Sequence, residues 1–231
     1  MTVPVLPLEF ADAGETADLA AFLARLLHYD RAAAVRMQAG GSALAVFGRP
    51  PSFEVLAIRT ARLAGRHDFD TTVSAGELLE SLDTGNEGTA AGPGVLPAAV
   101  TGPPWTGVLP PRGGWRELPG LPDPVSLREA VTTAITEFRS RDEALPEGHR
   151  TRAERDVIGR EIWSRTIGST GLPLRAVHAA QSLGFLRPAP DFPVALLAAG
   201  AWLRLRTPFG SIALRGRDNG LGTLAVSVGT R

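Results

Sequence analysis

The stretch FEVLAIRTARL, residues Phe53–Leu63, carries apolar side chains on both faces of an extended chain. Val55 and Ala57 point to one face, and Leu56 and Ile58 point to the other. A strand that is covered on one side only alternates apolar and polar residues, whereas a strand covered on both sides does not. The run therefore predicts a central strand buried between two layers.

The sequence around this run predicts a unit of one helix, several strands and a second helix. Apolar residues at helical spacing between Leu19 and Leu27 predict the first helix. Ser74, with Glu77 three residues later, predicts the capped start of the second helix. We predict strands at 33–38, 43–47, 53–63 and 71–73, with turns at the Gly40-Gly41 pair and at 49–52.

Residues 84–124 differ from the rest of the chain, because 18 of these 41 residues are Gly or Pro. Such a composition predicts a connecting segment with little regular structure. We expect residues 84–100 to be flexible. Trp105 and Trp115 are unusual in a solvated linker, so we expect residues 101–124 to pack these side chains against a domain.

The C-terminal part is predicted to contain three helices followed by strands. Pro124 and Ser126 mark the first helix start, a second helix is expected at 151–166 with Val157 facing inward, and Pro173 opens the third. Strands are expected at 194–198, 202–206, 211–215 and 223–228.

These elements together predict an α+β protein made of two mixed helix and antiparallel-sheet units joined by a Gly/Pro-rich segment. The expected boundaries are 1–83 for the first unit, 84–124 for the linker and 125–231 for the second unit. Three helices before a hairpin is also the order of a winged helix-turn-helix. The second unit is therefore open to a winged-helix interpretation.

The residue types exclude several chemistries. The chain has no cysteine, which excludes disulfides, thiolate catalysis and cysteine-bound metals. All 24 basic residues are arginine, so no Schiff base and no P-loop lysine can form. No two of the four histidines have a metal-ligand spacing, and no catalytic motif is present. We therefore predict no catalytic residues, no cofactor and no metal.

The net charge of zero conceals an uneven distribution. Residues 1–110 carry 7 Arg and 12 acidic residues, and residues 111–231 carry 17 Arg and 12 acidic residues. This asymmetry fits an anionic partner for the basic half, or an attraction between the two halves. No apolar run is long enough to span a membrane, and the N-terminus lacks the pattern of a signal peptide. We expect a cytoplasmic protein.

Three stretches, Phe47–Pro51, Pro103–Trp115 and Leu172–Leu186, resemble an actinobacterial family of hypothetical proteins. That family has no known function, so the resemblance implies no site. Residues 30–82 are similar in pattern to half of a DNA sliding-clamp domain. The two sheet-bearing halves around a Gly/Pro-rich middle resemble secretion chaperones of the type VII system, although the terminal helix of those chaperones is not predicted here.

The sequence favours a non-enzymatic protein that acts through macromolecular contacts, most simply a protein–protein adaptor or regulator. The alternative is a DNA-binding regulator that uses the basic half to contact phosphates. An enzyme with a non-standard site is the third hypothesis. The candidate nucleic-acid contacts are Arg152, Arg155, Arg175, Arg204, Arg206 and Arg215.

Overall fold

The computed structural model describes residues 7–84 and 94–216 and confirms the predicted α+β class. The helices are α1 (Ala13–Tyr29), α2 (Ala75–Thr84), α3 (Pro124–Glu143), α4 (Arg152–Trp163) and α5 (Leu174–Ser182). The strands are β1 (Pro7–Leu8), β2 (Ala34–Gly48), β3 (Leu56–Ser74), β4 (Gly94–Val95), β5 (Arg116–Leu118), β6 (Ala195–Ala199), β7 (Trp202–Thr207) and β8 (Gly210–Arg215). One six-stranded sheet has the order β2-β3-β8-β7-β6-β5, and β1 and β4 form a separate pair.

Four strands were expected in the N-terminal part, but the structure has two long strands there. These strands, β2 and β3, form one antiparallel hairpin. The predicted turn at Gly40-Gly41 is wrong, because β2 continues through it. Gly41 has a φ of 62°, and the register of the hairpin shifts between Gly41 and Ala43. An antiparallel pair accommodates such a residue as a bulge, so the glycine bends the strand and does not end it.

The two halves of the chain meet inside the sheet, where Leu56–Ile58 of β3 pairs with Ser211–Ala213 of β8. The prediction of a central strand covered on both sides is confirmed here. Ala57 faces the main core, and Leu56 and Ile58 belong to a smaller cluster on the other side of the sheet.

The helices cover one side of this sheet and enclose the main core. Its largest fully buried side chains include Phe22 and Leu26 of α1, Leu127 of α3 and Ile162 of α4. The α3 cap differs from the prediction, because Asp123, and not Ser126, accepts the free backbone N–H groups.

The inward position predicted for Val157 is wrong, since this side chain is 49% exposed on α4. Helical spacing alone placed it beside Ile158, but adjacent residues on a helix point about 100° apart, and the core of α4 follows Ile158 and Ile162. Among the described residues, no helix is both long and apolar enough to cross a membrane.

The hairpin β7–β8 forms as expected, but it is not a wing. It lies in the middle of the six-stranded sheet, with β3 on one side and β6 on the other. A wing must project from the fold to reach nucleic acid. The winged-helix interpretation of the second unit is therefore corrected to a shared central sheet.

The predicted linker contributes to the fold where it is described. Gly94–Val95 pairs with β1, and Arg116–Leu118 forms the edge strand β5 beside β6. Residues 101–115 cross one face of the sheet, and Trp105 packs there. The expected flexibility of residues 85–93 and the strand expected at 223–228 lie outside the described residues.

Arg59 connects three elements next to the pairing of β3 with β8. Its guanidinium donates to Asp18 Oδ2 of α1 at 2.8 Å and to the carbonyl of Phe209, in the β7–β8 turn, at 2.6 Å. The residue is only 6% exposed. Hydrogen bonds to a charged group that is shielded from water contribute more to stability than those at the surface.

We expect the substitution Arg59→Met to lower the free energy of unfolding by about 1.5–3 kcal/mol, because it removes these charge-assisted bonds. Arg62 provides a matched control, since it bonds Glu15 and Asp12 with a side chain that is 70% exposed. Arg62→Met should lower the free energy of unfolding much less, because water and salt screen an exposed ion pair. Equal losses for the two variants in chemical denaturation would contradict the role given to Arg59.

The ring of His178, on α5, packs between the two halves of the chain. Its ring stacks on Trp163 of α4 at 4.4 Å and meets the edge of Phe53, in the β2–β3 turn, at 5.0 Å. Burial among these rings lowers the pKa of His178, because the charged imidazolium loses its hydration.

This lowered pKa predicts that the fold weakens in acid. Below about pH 6.5 the unfolded chain takes up a proton that folded His178 does not, so stability falls by at most about 1.4 kcal/mol per pH unit. The loss ends once the pH reaches the folded pKa. Unfolding measured between pH 5 and 8 should show a weaker pH dependence for His178→Gln than for the wild type. The exposed His149 is the control, and His149→Gln should retain the wild-type dependence.

Candidate functional site

The side of the sheet away from the helices, here called the outer face, carries tryptophan and arginine side chains above a small apolar cluster. Alternate residues of β7 and β8 point to it, and the register places Trp202 opposite Arg215 and Arg204 opposite Ala213. The apolar cluster consists of Phe47, Leu56, Ile58 and Ala213, with Trp105, Leu109 and Trp202 packed against it.

The segment 103–112 crosses this face, and we call it the covering segment. Arg36 of β2 fastens it by donating to the carbonyl of Thr106 at 2.8 Å, while the same guanidinium binds both oxygens of Asp70 at 2.7 and 2.9 Å. The bonds from Arg36, together with one from Gln38, hold the pKa of Asp70 below its usual range. A charged pair in the β2–β3 hairpin thus fixes where the covering segment lies.

A cleft of about 420 Å³ opens beside the covering segment, and we call it the tryptophan cleft. Trp105 and Val108 of the covering segment line it together with Trp202, Leu56 and Ala213 of the sheet. Val108 is 50% exposed. Two indole rings and an aliphatic side chain therefore border a cavity large enough for one or two side chains of another molecule.

Three guanidinium groups line the same cleft, from Arg49 after β2, Arg175 of α5 and Arg215 of β8. None of them makes a side-chain hydrogen bond or an ion pair with any other residue in the described ranges. The Nε of Arg175 is buried and has no acceptor among those residues. A buried donor without an acceptor destabilises the fold by about 1–3 kcal/mol, and a ligand that supplied an acceptor would recover this free energy.

Glu54 is the one carboxylate among the residues that line the cleft. Its φ of 52° is the only positive value among the non-glycine residues described. A left-handed backbone at a residue other than glycine costs roughly 1–3 kcal/mol and is concentrated at functional sites. The strained residue lies in the β2–β3 turn, next to the start of the pairing between the halves.

The ion pairs of the described residues leave the charge asymmetry uncompensated. Every one of them joins two residues of 1–110 or two residues of 111–231. The attraction between an acidic and a basic half, which the sequence left open, has no ion pair within 7–84 and 94–216.

The structure brings four of the six arginines proposed from the sequence to this region. Arg175 and Arg215 line the tryptophan cleft, Arg204 lines a neighbouring groove, and Arg206 is exposed two residues further along β7. The other two lie on α4, where Arg155 binds Asp142 at 2.7 Å and Arg152 lies 3.9 Å from Asp156.

Sequence reasoning missed Arg49 and the role of Trp202. One signal was present in the hairpin: counting outward from the turn, where Thr207 pairs with Gly210, places Trp202 opposite Arg215. The position of Arg49 depends on the fold, because it follows the end of β2. In the described part of the chain, no group of three His, Asp or Glu side chains is arranged to hold a metal ion.

Comparison with known proteins identifies two domain families. Residues 3–107 match a domain of unknown function (DUF8010), and residues 110–219 match a second domain of unknown function (DUF8185). The junction between the two matches lies in the covering segment. These matches support the expected assignment to an uncharacterised family. No curated protein matches the chain.

Two solved structures similar to this chain are crystal structures of the DNA polymerase sliding clamp from Pseudomonas aeruginosa, one of them with a ligand. The first is 14% identical with a TM-score of 0.46, and the match covers 89% of this chain and 64% of the clamp. The second is 13% identical with a TM-score of 0.45, and it covers 90% and 63%. The chain thus spans somewhat less than two thirds of the clamp length.

Proposed function

We propose that the protein is a protein-interaction module that binds an acidic segment of a partner protein in the tryptophan cleft. The observation that supports this most directly is the set of three guanidinium groups that surround an apolar cleft without binding a carboxylate of this chain. Arg49, Arg175 and Arg215 outnumber Glu54, so the cleft is positively charged. A partner that fits must therefore combine negative charge with an apolar side chain.

The residue types suit such a segment. Tryptophan and arginine are the side chains most often responsible for binding energy in protein interfaces. Indole rings such as those of Trp105 and Trp202 present large apolar surfaces to an aromatic or aliphatic side chain. Guanidinium groups bind carboxylates through two parallel hydrogen bonds, which adds directional preference to charge attraction.

The nucleic-acid alternative has less support from the same geometry. It was based on six arginines of the second half and on the β7–β8 hairpin as a wing, but β7–β8 lies inside the sheet. Arg152 and Arg155 lie on α4 beside acidic residues of this chain. The remaining arginines line narrow, partly apolar cavities, which accept side chains more readily than a duplex backbone.

Peptide selection tests the proposal, because it can be carried out before any partner has been identified. The full chain is immobilised, and peptides are selected from a random-sequence display library. We expect the enriched peptides to carry Asp or Glu next to an aromatic or large aliphatic residue. Selection of peptides without acidic residues, or no enrichment, would contradict the proposed function.

Binding of the selected peptides should depend on the cleft. We expect Arg175→Gln and Arg215→Gln each to weaken binding about tenfold, which corresponds to about 1.4 kcal/mol and to the loss of a charged hydrogen bond. Arg152→Gln removes the same charge from a side chain that is 95% exposed on α4 and should change affinity less than twofold. Equal effects of the three variants would indicate general charge attraction. A single-stranded oligonucleotide provides the comparison. If it binds more tightly than any peptide, and if the same cleft variants abolish its binding, the nucleic-acid alternative is favoured.

A further inference from the structure

A second cavity of about 270 Å³ lies on the outer face, next to the other end of the covering segment. Pro104 and Trp105 border the tryptophan cleft, whereas Pro110 and Pro111 border this one. Ala45, Phe47 and Ile58 are among the apolar residues that line it, and Gln38, Arg112 and Arg204 supply its polar groups. We call this cavity the Arg204 groove.

Arg204 reaches the groove from β7. Its cross-strand partner on β8 is Ala213. The guanidinium carbon lies 5.6 Å from the centre of the Trp115 ring, and Trp115 Nε1 donates to the carbonyl of Pro111 at 2.9 Å. The tryptophan therefore holds both the arginine and one wall of the groove.

The guanidinium of Arg204 is half-buried and has no counter-charge among the described residues. Its Nε is buried and has no acceptor, and no described carboxylate pairs with it. Burial, and to a smaller degree the charge of Arg206, lowers its pKa. Arg59 and Arg36 are also partly or fully shielded, but each binds a carboxylate of this chain. A shielded charge without a counter-charge opposes folding, so stability does not account for an arginine at this position.

The second cation of the groove, Arg112, is exposed at the end of the covering segment. Its charge helps to lower the pKa of Asp70, so this carboxylate is within its electrostatic reach. Asp70, however, is already bound by Arg36 and Gln38. The groove therefore keeps a positive charge above an apolar lining, as the tryptophan cleft does.

We infer that Arg204 and Arg112 form a second carboxylate-binding subsite, and that the partner carries two acidic residues, one for each cavity. This inference rests on the proposed function, since it concerns the same partner segment. Arg204 and Arg215 are diagonal neighbours on adjacent strands, and the Cα atoms of such neighbours lie about 7–8 Å apart. Side chains at alternate positions of an extended segment are separated by about 6.4–6.8 Å. The partner is therefore an extended segment with acidic residues two positions apart and an apolar residue beside them.

Two synthetic peptides test this pairing against the full chain by fluorescence anisotropy. Both contain one Phe; the first has a single Glu, and the second has two Glu residues at alternate positions. We expect the wild type to bind the second peptide about tenfold more tightly than the first. Arg204→Gln should abolish this preference and leave the affinity for the single-Glu peptide unchanged, whereas Arg215→Gln should weaken both.

The outcomes separate the two proposals. Arg204→Gln and Arg112→Gln could keep the full preference for the two-Glu peptide while Arg215→Gln weakens the binding of both peptides. In that case the inference of a second subsite is wrong and the proposed function is retained. If neither peptide binds, both proposals fail. Arg152→Gln is again the charge-matched control and should retain the wild-type preference.

Thermal unfolding distinguishes a binding role of Arg204 from a structural one. Arg204→Met replaces a shielded charge by an unbranched apolar side chain, so the unfolding temperature should stay the same or rise. The same variant should lose the preference for the two-Glu peptide. A clearly lower unfolding temperature would assign Arg204 to the support of Trp115 and overturn the inference.

Discussion

The pairing of β3 with β8 is the contact on which the rest of the structure depends. Three residues on each strand join the two halves into one sheet, and Arg59 ties α1 and the β7–β8 turn to the same place. Without this pairing, the hairpin β2–β3 and the strands β6–β8 would each expose a long edge. Because β3 is internal, its apolar residues need a layer on both sides, and the chain supplies helices on one and the covering segment on the other.

The incomplete cover of the outer face creates both cavities. The helices cover one side of the sheet over the main core, whereas a single irregular segment crosses the other side. The cleft lies beside the start of this segment and the groove beside its end, and each is bordered by tryptophan or proline and by arginine. Arg36, which binds both Asp70 and the covering segment, keeps this arrangement in place.

Two groups of arginines in the chain differ in their partners. The first group lies at the surface of α3 and α4, where Arg141 and Arg165 bind Glu137 and Glu161 in one network. Hydrogen bonds from these two arginines lower the pKa of Glu161 to about 2. Those that line the two cavities bind no carboxylate within the described residues. A chain that uses only arginine for positive charge thus pairs one group internally and leaves the other to face the apolar cavities. The proposals for a partner concern this second group.

The sequence by itself determined the elements whose signals are local. Apolar spacing identified α1 and the helices of the second half, the capping residues Ser74 and Pro173 marked helix starts, and the run Phe53–Leu63 identified an internal strand. These signals work because side-chain direction and backbone caps depend on a few neighbouring residues. The class of the fold followed from them.

Only the tertiary structure decided how these elements combine. Gly40-Gly41 has the composition of a turn, but pairing along the whole of β3 makes it a bulge, and this pairing is not visible within a local window. The β7–β8 hairpin had the chain order of a wing, and its position inside the sheet depends on three residue pairs with β3, more than 150 positions away. The cleft likewise combines Arg49, Trp105, Arg175 and Arg215 from distant parts of the chain. Long-range contacts of this kind are fixed by the free energy of the whole core, and no segment encodes them alone.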